Sequence, residues 1–113
     1  MSLDDIYLAS FPFGDSPGMK LRPVLALTGS LGVVPEVLVA YISSVVPASL
    51  FPSDIVRDTT LSAHQSTHLK TKSVVRLLKL ATIHVRSVVR RLGNVSPAVG
   101  AEVDSKLRTL LAL

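Results

Sequence analysis

Short, mostly apolar runs, some broken by a single polar residue, recur along the chain up to Val95, and clusters of turn-forming residues separate them. Short apolar runs bounded by turn signals predict β structure. Ile6 to Phe13 (IYLASFPF) reads as a first strand, closed by the turn-forming GDSPG at 14 to 18. LRPVLALT (21 to 28) is a second, and its early proline suits an edge strand or a strand start. EVLVAYISS (36 to 44) is a third and DIVRD (54 to 58) a shorter fourth. Residues 59 to 71 are polar and irregular, as in a loop, and SVVRLLKLAT (73 to 82) is a fifth strand. IHVRSV (83 to 88) reads as a single helical turn before a last strand through VRRLGNV (89 to 95). The period then changes. Ser96 and Pro97 form an N-cap and first helical residue, and Val99, Val103, Leu107, Leu110 and Leu111 recur at helical spacing. A C-terminal helix docking its apolar stripe on the sheet is expected.

Composition supports this mainly β (α+β) class. The 113 residues suffice for one domain, read here as 1–113, with a single core. Hydrophobic residues make up 48% of the chain but aromatics only 4%, with no Trp, so Val, Leu, Ile and Ala must build the core. The absence of cysteine excludes disulfides, thiolate metal sites and cysteine nucleophiles. Asp4 and Asp5 stand where an export signal would carry positive charge, so a cytoplasmic protein is expected. The apolar stretch at 33 to 50 is broken by Pro35, Glu36 and Pro47, whereas a membrane span needs about 20 mostly apolar residues. A central strand between two turns accounts for it better.

The net charge of +4 is unevenly distributed. Between Asp58 and Glu102 there is no carboxylate, while Lys70, Lys72, Arg76, Lys79, Arg86, Arg90 and Arg91 fall there with His64, His68 and His84. Such a block fits a polyanionic partner or, equally simply, a solvated basic surface.

Arg76 stands out because it interrupts an apolar strand. Simple alternation puts it on one face with Val74, Leu78 and Leu80, opposite Val75, Leu77 and Lys79. A guanidinium there needs a carboxylate that its own segment does not contain, or it opens into a cleft and meets an anion from outside.

The phrases DDIYLASFPF, LRPVLAL, VAYISS and SVVRLLKLATI…RRLGNVSPAVGAEVDSKL, in this order, resemble the MazF/PemK family of toxins from bacterial toxin-antitoxin pairs. The likeness runs over almost the whole chain. It implies an SH3-like β-barrel with a C-terminal α-helix and a homodimer. It also implies metal-independent endoribonuclease activity on single-stranded RNA, leaving a 2′,3′-cyclic phosphate and a 5′-hydroxyl. On this resemblance Arg22 corresponds to the arginine before proline in the family's second-strand phrase, and Arg76 to the arginine of its VVR phrase. Ser43 and Ser44 correspond to its Thr-Ser pair. Two positions depart: Leu78 stands where members commonly carry an aspartate, and His84 where a second acid is often found.

The reaction explains the residue types. When a 2′-oxygen attacks the adjacent phosphorus, one group must accept its proton, another must protonate the leaving 5′-oxygen, and charge accumulates on the phosphoryl oxygens. Two guanidiniums suit that charge, since each donates paired bonds to a phosphate. The expected catalytic set is therefore Arg22, Ser43, Arg76 and His84, and the expected RNA contacts are Ser44, Tyr41, Lys70, Lys72 and Lys79. Tyr41 is the aromatic placed best to stack on a base. His64 and His68 are further acid-base candidates, although a polar loop accounts for them as solvated imidazoles. No histidine pair has the spacing of a metal motif, so neither metal nor cofactor is expected. The expected partner is a cognate antitoxin with an acidic, disordered tail. Leu78 keeps a second possibility open, a catalytically impaired member acting as an antitoxin- or nucleic-acid-binding module. A third is a toxin of this barrel type that acts on a protein.

Overall fold

The computed structural model describes residues 3–12, 19–29, 33, 35–57 and 72–113. His64, His68 and Lys70 lie outside them. The elements run β1 (Asp5–Pro12), β2 (Met19–Ala26), β3 (Glu36–Ser43), β4 (Asp54–Arg57), β5 (Ser73–His84), a 3-10 turn (Val85–Ser87), β6 (Val88–Asn94) and α1 (Pro97–Leu110). The strands form one antiparallel sheet in the order β4-β5-β3-β2-β1-β6. The fold is thus mainly β with a single C-terminal helix.

Each expected strand is present, with shifted limits. The helical turn expected over 83 to 88 is shorter, because β5 continues through His84 before the turn at Val85–Ser87. The His84 side chain caps that turn, accepting from the Arg86 amide at 3.0 Å. The stretch 33 to 50 contains β3, a central strand between β5 and β2. Among the described residues, no helix is long and apolar enough to cross a membrane. Pro23 does not mark an edge strand, since β2 lies between β1 and β3. Its ladder with β3 begins only at Val24, so the missing N–H falls outside it.

Alternation sends the apolar residues to two cores. Ile6, Leu25, Ala40, Ile42, Ile55, Val75 and Leu77 meet Val95, Val99 and Val103 of the helical segment, with Leu107 and Leu110 packed alongside. Tyr7, Ala9, Val24, Ala26, Val37, Val39 and Ile83 form the second, with Tyr41, Ala81 and Val88 against it. Helix α1 covers the first face. It starts where expected, with Ser96 Oγ accepting from the Val99 amide at 3.3 Å and Pro97 in the first turn. Gly100 lets the Asp4 carboxylate lie against that turn, since a Cβ there would stand 2.7 Å from Asp4 Oδ2.

One irregularity shapes the site. The β3–β5 register runs Ala40↔Leu80 and then jumps to Tyr41↔Arg76, so Leu77, Leu78 and Lys79 bulge out of the ladder. The bulge reverses which positions face which core: Val75 before it and Leu77 at its start lie in the first core, and Ala81 and Ile83 after it belong to the second. Leu80 packs against the first core, so it does not share a face with Arg76 as uninterrupted alternation predicts.

Candidate active site

Arg76 is the last laddered residue before the bulge. It is flanked by Tyr41 on β3 and by Asp54 on β4. Residues directly opposed across antiparallel strands project to the same face. The three therefore stand abreast on the face opposite the helix, where Val39 and Tyr41 also lie.

The carboxylate that the fifth strand lacks comes from β4. Arg76 Nε donates to Asp54 Oδ1 at 2.8 Å, with the Arg76 side chain 16% exposed and that of Asp54 fully buried. Asp54 is fixed by its own loop, since its Oδ2 accepts from the Phe51 amide at 2.9 Å and its amide donates back to the Phe51 carbonyl at 2.9 Å. Lys106 of α1 donates to the Asp54 carbonyl at 2.9 Å, tying the helix to this strand. The guanidinium carbon lies 5.7 Å from the centroid of the exposed Phe51 ring, within cation–π range. The ion pair uses Nε, and among the described residues neither terminal nitrogen of Arg76 has a partner.

The other expected residues are placed unequally. Ser43 pairs with Val74, two positions from Arg76 on the same strand. Its Oγ donates to the Val45 carbonyl at 3.2 Å and accepts from the Val45 amide at 3.1 Å, which holds the hydroxyl at the end of β3. Arg22 precedes Val24, which pairs with Tyr41, and the same register continued brings Arg22 level with Ser43. Period-2 alternation gives Arg22 the same face as Val24, and its Nη1 donates to the Leu21 carbonyl at 3.1 Å. Arg22, Ser43 and Arg76 thus lie on one face of β2, β3 and β5, level with the Ser43 end of β3. Ser44 and Lys72 are exposed close to that end, and Lys79 is exposed in the bulge.

His84 does not join them. It pairs with Glu36 at the far end of β3, five positions from Tyr41 and so roughly 16 Å along the strand. The basic block is also dispersed rather than gathered on one face. Arg76 pairs with Asp54, Arg91 pairs with Asp5 across β6 and β1, and β6 lies at the opposite end of the strand order from β4.

Leu78, the departure from the expected pattern, is 50% exposed in the bulge. It lines a cleft of about 450 Å³ with Phe51, Pro52, Lys106 and Leu110. Among the described residues, no group of acids and histidines is arranged to hold a metal ion.

The family model described as the PemK-like, MazF-like toxin of type II toxin-antitoxin systems matches residues 4–111. The chain belongs to this toxin family. Solved structures of MazF proteins share the fold. The Mycobacterium tuberculosis toxin MazF-mt6 is 24% identical with a TM-score of 0.72, covering 96% of this chain and 97% of that one. MazF from Deinococcus radiodurans is 24% identical with a TM-score of 0.73, covering 100% and 97%. A mycobacterial endoribonuclease in complex with its cognate antitoxin is 17% identical with a TM-score of 0.71, covering 98% and 94%. No curated protein matches the sequence. Within the MazF/PemK fold, the positions on β2, β3 and β5 that the sequence suggested lie on one face, and Asp54, the partner of Arg76, was not among the residues it suggested. The available signal was an acid heading the apolar phrase DIV, in the strand read just before that of Arg76.

Proposed function

We propose that this toxin-family protein cleaves single-stranded RNA, mRNA above all, in the cytoplasm and without a metal. The RNA 2′-oxygen forms a bond to the adjacent phosphorus as the bond to the 5′-oxygen breaks. The 2′-hydroxyl proton leaves to a base, the 5′-oxygen gains a proton, and the ends are a 2′,3′-cyclic phosphate and a 5′-hydroxyl. The observation that supports this reading is that Arg22, Ser43 and Arg76 lie on one face of three neighbouring strands, within two register positions of one another.

In this reading the two guanidiniums stabilise the charge that builds on the phosphoryl oxygens, Arg76 through the terminal nitrogens that the ion pair leaves over. Ser43 donates to a phosphate oxygen by turning its hydroxyl away from the Val45 carbonyl. Tyr41, Ser44, Lys72 and Lys79 contact the strand on either side, with Tyr41 offering a stacking face. The protein acts as a homodimer and is inhibited by a cognate antitoxin whose acidic, disordered tail competes with RNA. An antitoxin-bound neighbour of the same fold supports that partner.

One observation favours a second reading, an inactive binding module: the position of the family's common acid is a half-exposed leucine beside an apolar cleft. Incubating the protein with mixed RNA and a chelator, followed by mass analysis of new ends, separates the two. Cyclic-phosphate ends are expected, and intact RNA sinks the ribonuclease reading.

A further inference from the structure

We infer that Asp54 is a positioning residue for Arg76. The inference rests on the ribonuclease reading above and concerns how its site is assembled. A guanidinium on a strand has several rotatable bonds, so its usefulness at a phosphate depends on what holds it. Here one contact does so from directly across the ladder. Asp54 and Arg76 are register partners, and Asp54 Oδ1 takes Nε at 2.8 Å. Nε is the nitrogen whose commitment leaves both terminal nitrogens for a phosphate.

Asp54 is itself held in place. Its side chain is fully buried, and its second oxygen already accepts from the Phe51 amide. Lys106 grips its carbonyl from the helix, and the Phe51 ring supports the guanidinium from the same loop. Leu78 cannot accept a hydrogen bond, so among the described residues Asp54 is the sole carboxylate paired with Arg76. A residue that acts through another should change turnover more than binding, and should have no effect once the other is gone.

The test compares wild type, Asp54→Asn, Arg76→Ala and the double variant, each at a temperature where circular dichroism shows a folded protein. Asp54→Asn keeps the size and the acceptor for the Phe51 amide while removing the charge. A fall in kcat of at least tenfold with KM within about twofold is expected, and no further fall when Asp54→Asn is added to Arg76→Ala. Side-chain nitrogen NMR provides a readout independent of cleavage. The Arg76 Nε–H should exchange slowly in wild type and at least tenfold faster in Asp54→Asn. Unchanged kcat in Asp54→Asn, or an Nε–H that exchanges as fast in wild type as in the variant, overturns the inference. A slowly exchanging Nε–H in a wild-type protein that leaves RNA intact supports the orienting role and overturns the ribonuclease reading instead. Should Asp54→Asn fail to fold, Arg76→Lys keeps the charge but loses the Nε fork. The same kcat loss is then expected, and wild-type kcat overturns the inference.

Discussion

Asp54 and Arg76 form a cross-strand ion pair in which a fully buried carboxylate holds the guanidinium by Nε at 2.8 Å. The pair explains how a permanent charge is tolerated inside the apolar run of β5. Desolvating the two charges is costly, and their mutual attraction and the Phe51 amide offset that cost. The arginine has a structural partner, and the pair leaves its two terminal nitrogens uncommitted among the described residues. The two roles that the sequence set against each other are compatible.

Arg76→Ala should therefore have two separable effects. Cleavage should fall by roughly 10² or more, the scale for losing one preorganised donor to a developing oxyanion. Stability should fall as well, by about 3–5 kcal/mol, because Asp54 is left buried and unpaired. Urea denaturation checks the second effect, and Asp54→Asn in the same chain should recover much of the stability while cleavage stays low. Wild-type cleavage by folded Arg76→Ala would remove the arginine from the site.

Leu78→Asp tests the departure from the family pattern. Leu78 is half exposed, so the substitution should change stability by no more than about 0.5 kcal/mol. If an acid at position 78 acts through the guanidinium, cleavage rises in the wild-type background but not in Arg76→Ala. A rise in both backgrounds, read in the same RNA assay, would detach position 78 from Arg76.

Salt should weaken RNA binding through the exposed lysines flanking the site. For single strands the slope of log affinity against log salt is about 0.7 per phosphate contact. Lys72→Gln and Lys79→Gln should each lower it by about that amount. Titrating a non-cleavable 2′-O-methyl RNA at several ionic strengths measures it, and an unchanged slope excludes that lysine from the path of the strand.

Asp4 is expected to limit stability at neutral pH. Its pKa is raised, chiefly by burial and then by the nearby charges of Asp104 and Asp5, and its Oδ1 is buried with no partner among the described residues. With the folded pKa above the ordinary 3.8, the folded state binds more protons than the unfolded one between the two values. Stability thus falls as pH rises through that window, and the penalty is complete above it. Asp4→Asn should raise the melting temperature at pH 7, with the gain vanishing as pH drops below 3.8. Asn tolerates the positive φ of 67° at this position, so the backbone does not oppose the change. Equal melting temperatures at pH 7 would show that the carboxylate is not strained.

Light scattering at micromolar concentration should give the mass of a dimer. Leu21, Val45, Leu50, Phe51 and Val89 are among the large apolar side chains exposed on the single chain, and twofold self-association is the common way to cover such surface. A monomer alone would count against the homodimer.

The sequence by itself determined what depends on neighbours along the chain. The strands, the Ser96–Pro97 helix start and the stripe of Val99, Val103, Leu107 and Leu110 are short-range patterns and are present, although Leu111, read into the same stripe, is exposed. Arg22, Ser43 and Arg76 were legible because they sit within recognisable phrases. Only the tertiary structure decided which strands lie side by side and in what register. Asp54 reaches Arg76 across residues 58–71, and sequence carries no measure of the register on the far side of such a segment. The bulge at Leu77, Leu78 and Lys79 reversed the facing of every later position on β5. It also set Leu78 apart from the face that simple alternation assigns it. His84, near Arg76 in a count of residues, lies a strand's length away because an extended chain adds about 3.3 Å at every step.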